Sequence, residues 1–398
     1  MLPFTIDKGN CTGCSACFAV CPIQCIEMKY DDEGFLYPIA SDKCIKCNKC
    51  KKVCPQQNLS ANKIIKQEAY AACSNTYDIW KRSSSGGAFS EICYTFGDKN
   101  TLFVGAAWNN LSVNHVGVNI DNLDVLCKSK YIASDLGDSF KKIKEHLLKG
   151  EKVVFCGTPC QVAGLNNFLS KSYDNLLLID LICHGVGSPF VFKTCIENLE
   201  NQFSKQIINY EFRSKRRVFE GDHLQKIKFI DNTEVYLIKD PYIQLFLNQD
   251  CLRPSCGENC KYRNSSRQGD ITIADFKGLA YVFPHLSGSK KNYSTIISNT
   301  EKGAKIVSKL KDKMKLYPCD INEIKKYNPL FYKQTCFSDK RDLFFKEYKD
   351  NPELAIQNWT VNAIKYKKKI TKRVYDMLPT KIRQKMWQLF HKKNNEKK

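Results

Sequence analysis

Several common sequence features are missing from this chain of 398 residues, and each absence excludes a class of protein. The longest apolar stretch, residues 175–186, is interrupted by Asp180 and falls short of the roughly 20 apolar residues that a membrane-spanning helix needs. Residues 1–10, MLPFTIDKGN, lack the basic segment, apolar core and small-residue cleavage site of a secretion signal. We therefore expect a cytoplasmic protein, and an apolar content of 43% excludes wholesale disorder.

Patterns that mark common nucleotide and nucleic-acid sites are absent as well. The chain contains neither G-x-G-x-x-G nor G-x4-G-K-[ST], which excludes a Rossmann dinucleotide site and a P-loop. Its net charge of +21 is regional, because residues 361–398 carry thirteen Lys or Arg and two acids. No recognition motif accompanies this charge, so nucleic acid is not an expected partner.

The basic segment has apolar residues at helical spacing on both sides of Pro379. The recurrence of Ile370, Val374, Met377 and Leu378 predicts one short amphipathic helix, and a second is predicted after the proline. Such helices are suited to an anionic membrane surface, with the protein peripheral to it, or to an acidic protein. The alternative is a helical pair that packs on the body and keeps its lysines in water.

Cysteine, by contrast, is abundant, with 21 residues in the chain. In a reducing cytoplasm this number favours thiolates kept for metal over a disulfide framework. Residues 11–22 read CTGCSACFAVCP and residues 44–55 read CIKCNKCKKVCP, so both follow C-x2-C-x2-C-x3-C-P. The first part of the chain is therefore an internal duplication, with a hairpin expected between its halves and a turn near Asp32 and Gly34.

Each half of the duplication is expected to supply one [4Fe-4S] cluster. Three closely spaced thiolates fit three corners of a cubane, whereas the fourth, before proline, reaches the cluster of the other half. The predicted ligand sets are Cys11, Cys14, Cys17 and Cys54 for one cluster, and Cys44, Cys47, Cys50 and Cys21 for the other. Residues 1–57 thus resemble the bacterial two-cluster ferredoxin. A zinc module would leave the third cysteine of each half without a role, and Cys25, outside the pattern, is assigned to packing.

After a polar linker, short β-rich runs alternate with amphipathic stretches from residue 69 onward. This pattern predicts helices at 87–96, 139–148 and 190–203, and strands at 102–108, 153–155, 176–182, 270–274 and 295–298. A hairpin is predicted from 226–230 and 234–238. The predicted fold class is α+β with mixed sheets. It has three parts: a ferredoxin-type domain at 1–57, a mixed α/β body at 69–340 and a basic helical tail at 341–398.

Four polar or glycine-rich motifs lie at the ends of these elements. They are SSSGG at 83–87, GTPCQ at 157–161, DLICHG at 180–185, and RPSCGENCKY at 253–262 followed by GDITIADF at 269–276. In this order, the motifs resemble the beta subunit family of coenzyme F420 hydrogenases and dehydrogenases. The resemblance spans roughly residues 69–340.

The resemblance implies a flavoprotein that passes electrons between a hydride carrier and iron-sulfur clusters. FAD stands between them because a hydride carries two electrons and a cluster exchanges one. The expected cofactor-binding residues are Ser84, Ser85, Gly86 and Gly87 for the pyrophosphate, and Thr158, Pro159, Gln161, Asp270 and Asp275 around the flavin. His184 is the one catalytic candidate within a motif, as a general acid.

Four further cysteines lie inside these motifs, namely Cys160, Cys183, Cys256 and Cys260. Their glycine, proline and serine neighbours leave room for the backbone to approach sulfur, so we expect a third [4Fe-4S] cluster that relays electrons between the flavin and the ferredoxin domain. The alternative is four ordinary buried cysteines.

The function expected from these features is an iron-sulfur flavoprotein oxidoreductase. It would exchange hydride with F420 or another hydride carrier or organic substrate at FAD, and single electrons with ferredoxin or a partner redox subunit. The alternative is a non-catalytic electron-transfer subunit that serves a partner enzyme. A homo-oligomer is left open by the sequence.

Overall fold

The computed structural model describes residues 7–58, 65–216, 224–264, 266–287, 289, 291–333, 337, 339–365 and 382. Its strands are β1 Ile26–Tyr30, β2 Leu36–Ala40, β3 Glu68–Ser74, β4 Leu102–Asn109, β5 Ser112–Val118, β6 Val153–Cys156, β7 Leu176–Leu181, β8 Ile207–Glu211, β9 Gln225–Phe229, β10 Glu234–Ile238, β11 Ile271–Asp275, β12 Ser294–Ser298, β13 Met314–Cys319 and β14 Ile364–Lys365.

The helices alternate with these strands through most of the body. They are α1 Ala16–Val20, α2 Lys49–Val53, α3 Tyr77–Arg82, α4 Ala88–Phe96, α5 Ser139–Leu148, α6 Pro159–Leu169, α7 Pro189–Phe203, α8 Pro241–Asn248, α9 Leu279–Val282, α10 Glu301–Ser308, α11 Ile321–Tyr327, α12 Lys340–Asp350 and α13 Pro352–Trp359. The mixed α/β body is therefore confirmed, and the predicted helices and strands lie within one or two residues of those observed.

The N-terminal unit repeats one local design twice. The helix that carries the third cysteine of each half, α1 or α2, starts after a residue with left-handed backbone, Ser15 at φ 60° and Asn48 at φ 59°. Between the halves, β1 and β2 pair antiparallel, and Gly34 has φ +83° in the turn. The predicted duplication and its hairpin are confirmed.

The body is built on an eight-stranded sheet with the order β13-β3-β12-β11-β7-β6-β4-β5. Strands β4, β6, β7 and β11 are parallel to one another, whereas β12 runs against them. The carboxyl ends of the parallel strands therefore share one edge with the start of β12 and with the end of β3, which pairs with β12 in antiparallel fashion. Ligands bind at such an edge in open α/β sheets, and two of the four body motifs lie there: GTPCQ directly after β6 and DLICHG at the end of β7.

A second sheet, in the order β14-β10-β9-β8, covers an aromatic core that includes Phe192, Phe212 and Tyr242. Helices α12 and α13 also pack on this core through Phe344, Phe345 and Ile356, and β14 pairs with β10. The boundary predicted at residue 341 is therefore wrong, because residues 339–365 belong to the body. Their apolar residues find aromatic partners far away in the chain, which no local pattern reveals.

The hairpin of the N-terminal unit is held on the body at its turn. Arg341 forms an ion pair with Glu33, and the Ser188 hydroxyl donates to the Glu33 carbonyl at 2.6 Å. Phe35 has no exposed surface and packs edge-on against Phe345. The two parts of the molecule therefore share one continuous core.

Of the predicted basic helices, only residue 382 falls among the described residues, so this prediction stays open. Within the described part of the chain, no helix is long and apolar enough to cross a membrane.

Candidate iron-sulfur and cofactor sites

Cys11, Cys14, Cys17 and Cys54 come together where α1 and α2 meet, and we call this group site 1. Burial is the main cause that raises the pKa of Cys14 to about 12, and the charges of Cys54 and Cys11 add to it. Burial and the same neighbours raise the pKa of Cys17. The fourth cysteine of the second motif thus lies with the first three of the first motif, as the crossed arrangement predicts.

Cys21, Cys44, Cys47 and Cys50 line a second cavity, which we call site 2. Cys47 is exposed to solvent, and the neighbouring Ile45 is 62% exposed. This end of the N-terminal unit therefore faces water, whereas the site 1 cysteines lie against the body.

Cys25 also lines the site 2 cavity, with its Sγ 3.4 Å from the Sγ of Cys21. Its backbone N–H donates to the same Cys21 sulfur at 3.4 Å. The assignment of Cys25 to packing is therefore incomplete, because the buried thiol belongs to the group around site 2. The spacing C21-P-x-x-C25 was visible in the sequence but has no place in the repeated motif.

Cys160, Cys183, Cys256 and Cys260 line one cavity at the carboxyl edge of the main sheet, and we call this group site 3. Cys160 is the second residue of α6, just after β6, and Cys183 follows β7 by two residues. Cys256 ends a short 3-10 turn, Pro254–Cys256, and the Cys260 N–H donates to the Gly257 carbonyl. Four separate positions from three segments thus converge on a single space.

The chemistry of site 3 fits an iron-sulfur cluster. Burial raises the pKa of Cys183 to about 12, with the charges of Cys256 and Cys260 adding to the effect. All four thiols are partly buried, and four thiolates that face one cavity need a cationic core to balance their charge. In the described residues no three His, Cys, Asp or Glu side chains converge closely enough to hold a single metal ion, whereas a cubane accepts sulfurs that stand further apart than zinc ligands.

Backbone geometry and orphaned polar atoms at site 3 point the same way. Gly185 has φ +132°, and a Cβ there would lie 2.8 Å from Leu252 and 3.2 Å from the Cβ of Cys256. Glycine is therefore needed for the chain to pass beside Cys256. The buried hydroxyls of Ser255 and Tyr262, which both line the cavity, have no hydrogen-bond partner among the residues that the structure describes. They are available to sulfur acceptors of a bound group.

Sites 1 and 3 are immediate neighbours through α6. Gly164 is one helical turn after Cys160, and a Cβ on Gly164 would lie only 2.9 Å from the Sγ of Cys14. The Cβ atoms of residues four apart on a helix are about 5–6 Å from each other, so the Cβ of Cys160 lies within about 9 Å of the Cys14 sulfur. Thr12 and Gly13 of the first cysteine loop line the same cavity as site 3.

The GTPCQ motif is a helix start that aims Cys160 into the cavity. Thr158 and Gln161 form a capping box, in which the Thr158 N–H donates to the Gln161 side-chain oxygen at 2.9 Å. Pro159 occupies the first helical position, and the Gln161 amide donates to the Ser134 hydroxyl at 3.0 Å. Thr158, Pro159 and Gln161 all line the cavity, so the structure brings these predicted cofactor residues to site 3.

The SSSGG loop reaches the same edge of the sheet, but its groups are largely engaged by the protein. The Gly86 N–H donates to Ser294 at 2.9 Å, and a Cβ on Gly86 would lie 2.1 Å from the Ala72 carbonyl. The Ser85 hydroxyl donates to the Tyr293 carbonyl. Gly87, at φ +95°, caps α4. Gly86 is thus required by packing between β3 and β12, and Gly87 by its left-handed backbone beside Ser74 and Ile79. Neither requirement depends on a phosphate.

Ser84 is the loop residue that opens toward a polar neighbourhood. Its hydroxyl accepts hydrogen bonds from the N–H and the hydroxyl of Ser129 at 2.8 and 3.0 Å. The next residue, Lys130, donates to the carbonyl of Cys127, and burial lowers its pKa to about 8. Lys215 donates to the Ser85 carbonyl and lies over the Trp80 ring. Sequence analysis missed these lysines, because no motif surrounds them.

The two aspartates proposed for the flavin pocket lie at opposite ends of β11. Asp275 is at the carboxyl end and pairs with the buried Arg213. Asp270 precedes β11 at the other edge of the sheet, where its carboxylate accepts from the Leu178 N–H at 3.0 Å and from Thr300 at 2.7 Å. The structure therefore does not bring Asp270 together with Asp275, and its carboxylate fastens β7 to the start of α10. The five residues of β11 separate the two carboxylates by about 16 Å.

The structure does not bring the His184 ring into the cavity that its neighbours Cys183 and Gly185 line. The ring packs on Phe246, and its Nε2 is 3.1 Å from the Phe246 carbonyl oxygen. Burial lowers the pKa of His184 to about 4. A neutral ring tied to a backbone carbonyl is a structural group, and this geometry gives no support to His184 as a general acid.

Two segments of the chain match family models. Residues 150–328 match the family described as the C terminus of the coenzyme F420 hydrogenase/dehydrogenase beta subunit, and residues 10–59 match the 4Fe-4S dicluster domain. The resemblance stated from the motifs is thereby confirmed over residues 150–328 and 10–59, and the N-terminal match supports iron-sulfur clusters there. The SSSGG motif at 83–87 lies outside the matched residues.

One curated protein and one solved structure give the wider comparison. The coenzyme F420-dependent sulfite reductase of Methanocaldococcus jannaschii is 26% identical over 310 residues, or 76% of this chain and 46% of that protein. The chain thus spans about half the length of this relative. A chain of the F420-reducing [NiFe] hydrogenase complex from Methanosarcina barkeri aligns with a TM-score of 0.44 and 16% identity, over 75% of this chain and 93% of that chain.

Proposed function

We propose that this chain, which joins a 4Fe-4S dicluster domain to a coenzyme F420 hydrogenase/dehydrogenase beta-subunit region, moves electrons between a hydride carrier at FAD and three [4Fe-4S] clusters. The carrier is F420 or a related organic hydride donor or acceptor. The observation that carries the proposal is the convergence of Cys160, Cys183, Cys256 and Cys260 on one cavity beside the first cysteine loop.

The three sites follow one another from the body to the surface. Site 3 lies at the carboxyl edge of the main sheet, site 1 is one turn of α6 away, and site 2 ends at the exposed Cys47. Hydrogen bonds and solvent exposure around the sulfurs set the potential of each cluster. Since site 2 is the exposed member, it would exchange electrons with an external ferredoxin or a partner redox subunit.

The flavin would occupy the same edge of the sheet, on the far side of site 3 from the ferredoxin unit. FAD, when bound, exchanges a hydride with the carrier and single electrons with the clusters. Lys130 suits the pyrophosphate, because within the described residues its ammonium contacts carbonyl oxygens and no carboxylate. The SSSGG loop lies beside it, because Ser129 donates to the Ser84 hydroxyl and Lys215 donates to the Ser85 carbonyl. Arg213, which pairs with Asp275, reaches the hydroxyl of Tyr131, the residue after Lys130.

A second candidate function is electron transfer in the service of a separate enzyme. The chain covers 46% of the F420-dependent sulfite reductase. The rest of that protein, which is about as long as this chain, has no counterpart here. A partner protein would then supply the site at which the final acceptor is reduced.

Anaerobic purification followed by iron, sulfide and flavin analysis tests the proposal. The expected content is about twelve irons and one flavin per chain, from four irons at each of three sites. Reduction of F420 by a reduced viologen dye, or of the oxidised dye by reduced F420, when catalysed by the isolated chain, supports the enzyme, whereas turnover that strictly requires an added partner supports the electron-transfer role. A preparation that binds zinc and takes up neither iron nor flavin on anaerobic reconstitution would refute both.

A further inference from the structure

Arg253 lies where the body, site 1 and site 3 meet. Its side chain is 2% exposed, and its Nε donates to the Cys11 carbonyl at 2.7 Å. Nη2 donates to the Leu36 carbonyl at 2.9 Å and lies 3.8 Å from the Sγ of Cys11. The backbone of Arg253 starts the turn that carries Cys256, whose N–H donates to the Arg253 carbonyl. One residue thus touches both cysteine groups.

The guanidinium of Arg253 differs from other buried arginines in its partners. Three of those arginines pair with a carboxylate, namely Arg213 with Asp275, Arg267 with Asp180, and Arg341 with Glu33. Among the residues that the structure describes, Arg253 pairs with no carboxylate: it donates to two carbonyls and to the Cys11 sulfur, and its Cζ is 4.2 Å from the centre of the Tyr37 ring. Its side chain also lies beside Gly13, and Arg253 lines the site 3 cavity. A buried cation without a counter-charge is unfavourable, so an anion is missing from its surroundings.

We propose that Arg253 supplies the positive charge that stabilises the reduced form of the site 1 cluster. It is a positioning residue that raises the reduction potential at the step between site 3 and site 1. This inference rests on the proposed function, because it requires clusters at those cysteines. It goes beyond the proposed function because it names one side chain, that of Arg253, as the group that makes site 1 a better electron acceptor.

The physical reason lies in the charge balance of the step. When one electron passes between the two sites, the donor is oxidised by one electron and the acceptor is reduced by one, and no bond or proton is involved. The acceptor becomes more negative by one unit. A fixed cation that donates to a ligand sulfur favours that more negative state, since net charge and hydrogen bonds to sulfur are the protein's means of setting cluster potentials.

The test uses the full chain, purified without oxygen, with Arg253→Gln and Arg253→Lys variants. Redox titration followed by EPR gives the midpoint of each cluster, and the site 1 component is identified as the one lost in Cys14→Ser. For Arg253→Gln we expect the ratio of reduced to oxidised site 1 at a fixed potential to fall about tenfold, or ~59 mV for one electron. Arg253→Lys keeps the charge and should retain most of the wild-type value.

Arg341→Gln is the matched control, because Arg341 is also buried and also ties the N-terminal unit to the body, through Glu33. It should leave every midpoint unchanged. The inference is overturned if Arg253→Gln does not move the site 1 midpoint, if Arg341→Gln moves it equally, or if Arg253→Lys falls as far as Arg253→Gln. Loss of iron from both Arg253 variants would also overturn the inference. Loss of iron from Arg253→Gln alone would support it, because Arg253→Lys keeps the positive charge. Wild-type protein without iron would instead refute the proposed function.

Discussion

Gly164 offers the most direct test of the contact between site 1 and site 3. The residue is buried in α6, and a side chain there would point at Cys14 of the N-terminal unit. An added Cβ would lie 2.9 Å from the Cys14 Sγ and 3.0 Å from its Cβ. Substitution by Ala or Leu therefore presses on a predicted ligand of site 1 without touching any cysteine covalently.

The expected size of the effect follows from two opposing terms. Alanine is favoured over glycine in a helix interior by about 1 kcal/mol. Overpacking of a filled core costs typically about 1–3 kcal/mol, and the Cys14 contact is about half an ångström shorter than the 3.4 Å at which ordinary contact begins. For Gly164→Ala these terms nearly cancel in the free energy of unfolding, so the strain should show as a shift of Cys14. Gly164→Leu adds three more carbons, and we expect it to displace Cys14 from the cluster.

The assay is iron per chain together with the EPR spectrum of the reduced protein. Gly164→Leu should lose about four irons, those of site 1. Gly164→Ala should keep its iron and change only the site 1 signal. Gly105→Ala is the control, because its Cβ would first meet Leu126 at 3.6 Å, an ordinary contact. If Gly164→Leu retains all its iron with an unaltered spectrum, α6 does not bring the two sites together as described.

Three further predictions concern the metal content, the pH dependence and the surface. Cys47→Ser and Cys160→Ser should each remove about four irons, but only the second should also block reduction of the remaining clusters by the hydride carrier, which stopped-flow absorbance can follow. Burial lowers the pKa of His115 to about 4. Below about pH 6.5 the unfolded chain therefore binds a proton at His115 that the folded chain does not bind. The free energy of unfolding should fall by roughly 1.4 kcal/mol for each pH unit below that point. His115→Phe should flatten that slope in unfolding curves of the apoprotein between pH 7 and 5, and an unchanged slope would contradict the assignment. The exposed Lys46 and Lys49 beside site 2 should speed electron exchange with an acidic ferredoxin at low salt, and K46E/K49E should slow that exchange at low salt and reduce or invert its salt dependence.

The N-terminal unit could be predicted from the sequence almost completely. Both halves carry the same four cysteines and proline at the same spacing. Local spacing therefore accounts for the two matching helices, after Ser15 and Asn48, and for the hairpin turn at Gly34. The grouping of Cys54 with the first motif followed from the proline after it. Cys25 escaped this reasoning, because its spacing from Cys21 has no counterpart in the repeated motif and its other neighbour, Cys44, comes from the other half.

The body shows where sequence patterns stop being sufficient. Motifs at strand ends predicted the convergence of Cys160 and Cys183, since carboxyl ends of parallel strands share an edge. The same reasoning could not separate Asp270 from Asp275, because the two ends of one short strand are close in sequence and lie at opposite edges of the sheet. Lys130 escaped notice because its importance comes from what surrounds it in space and not from adjacent residues.

The contacts that hold the turn of the β1–β2 hairpin on the body bear on how the proposed electron transfer within the molecule can occur. Glu33 is held by Arg341 and by Ser188, and Phe35 is fully enclosed by the body. An N-terminal unit fixed in this way does not move between one position in which it accepts electrons and another in which it releases them. Intramolecular transfer should therefore be indifferent to solvent viscosity, and glycerol or sucrose should slow only the encounter with the outside carrier.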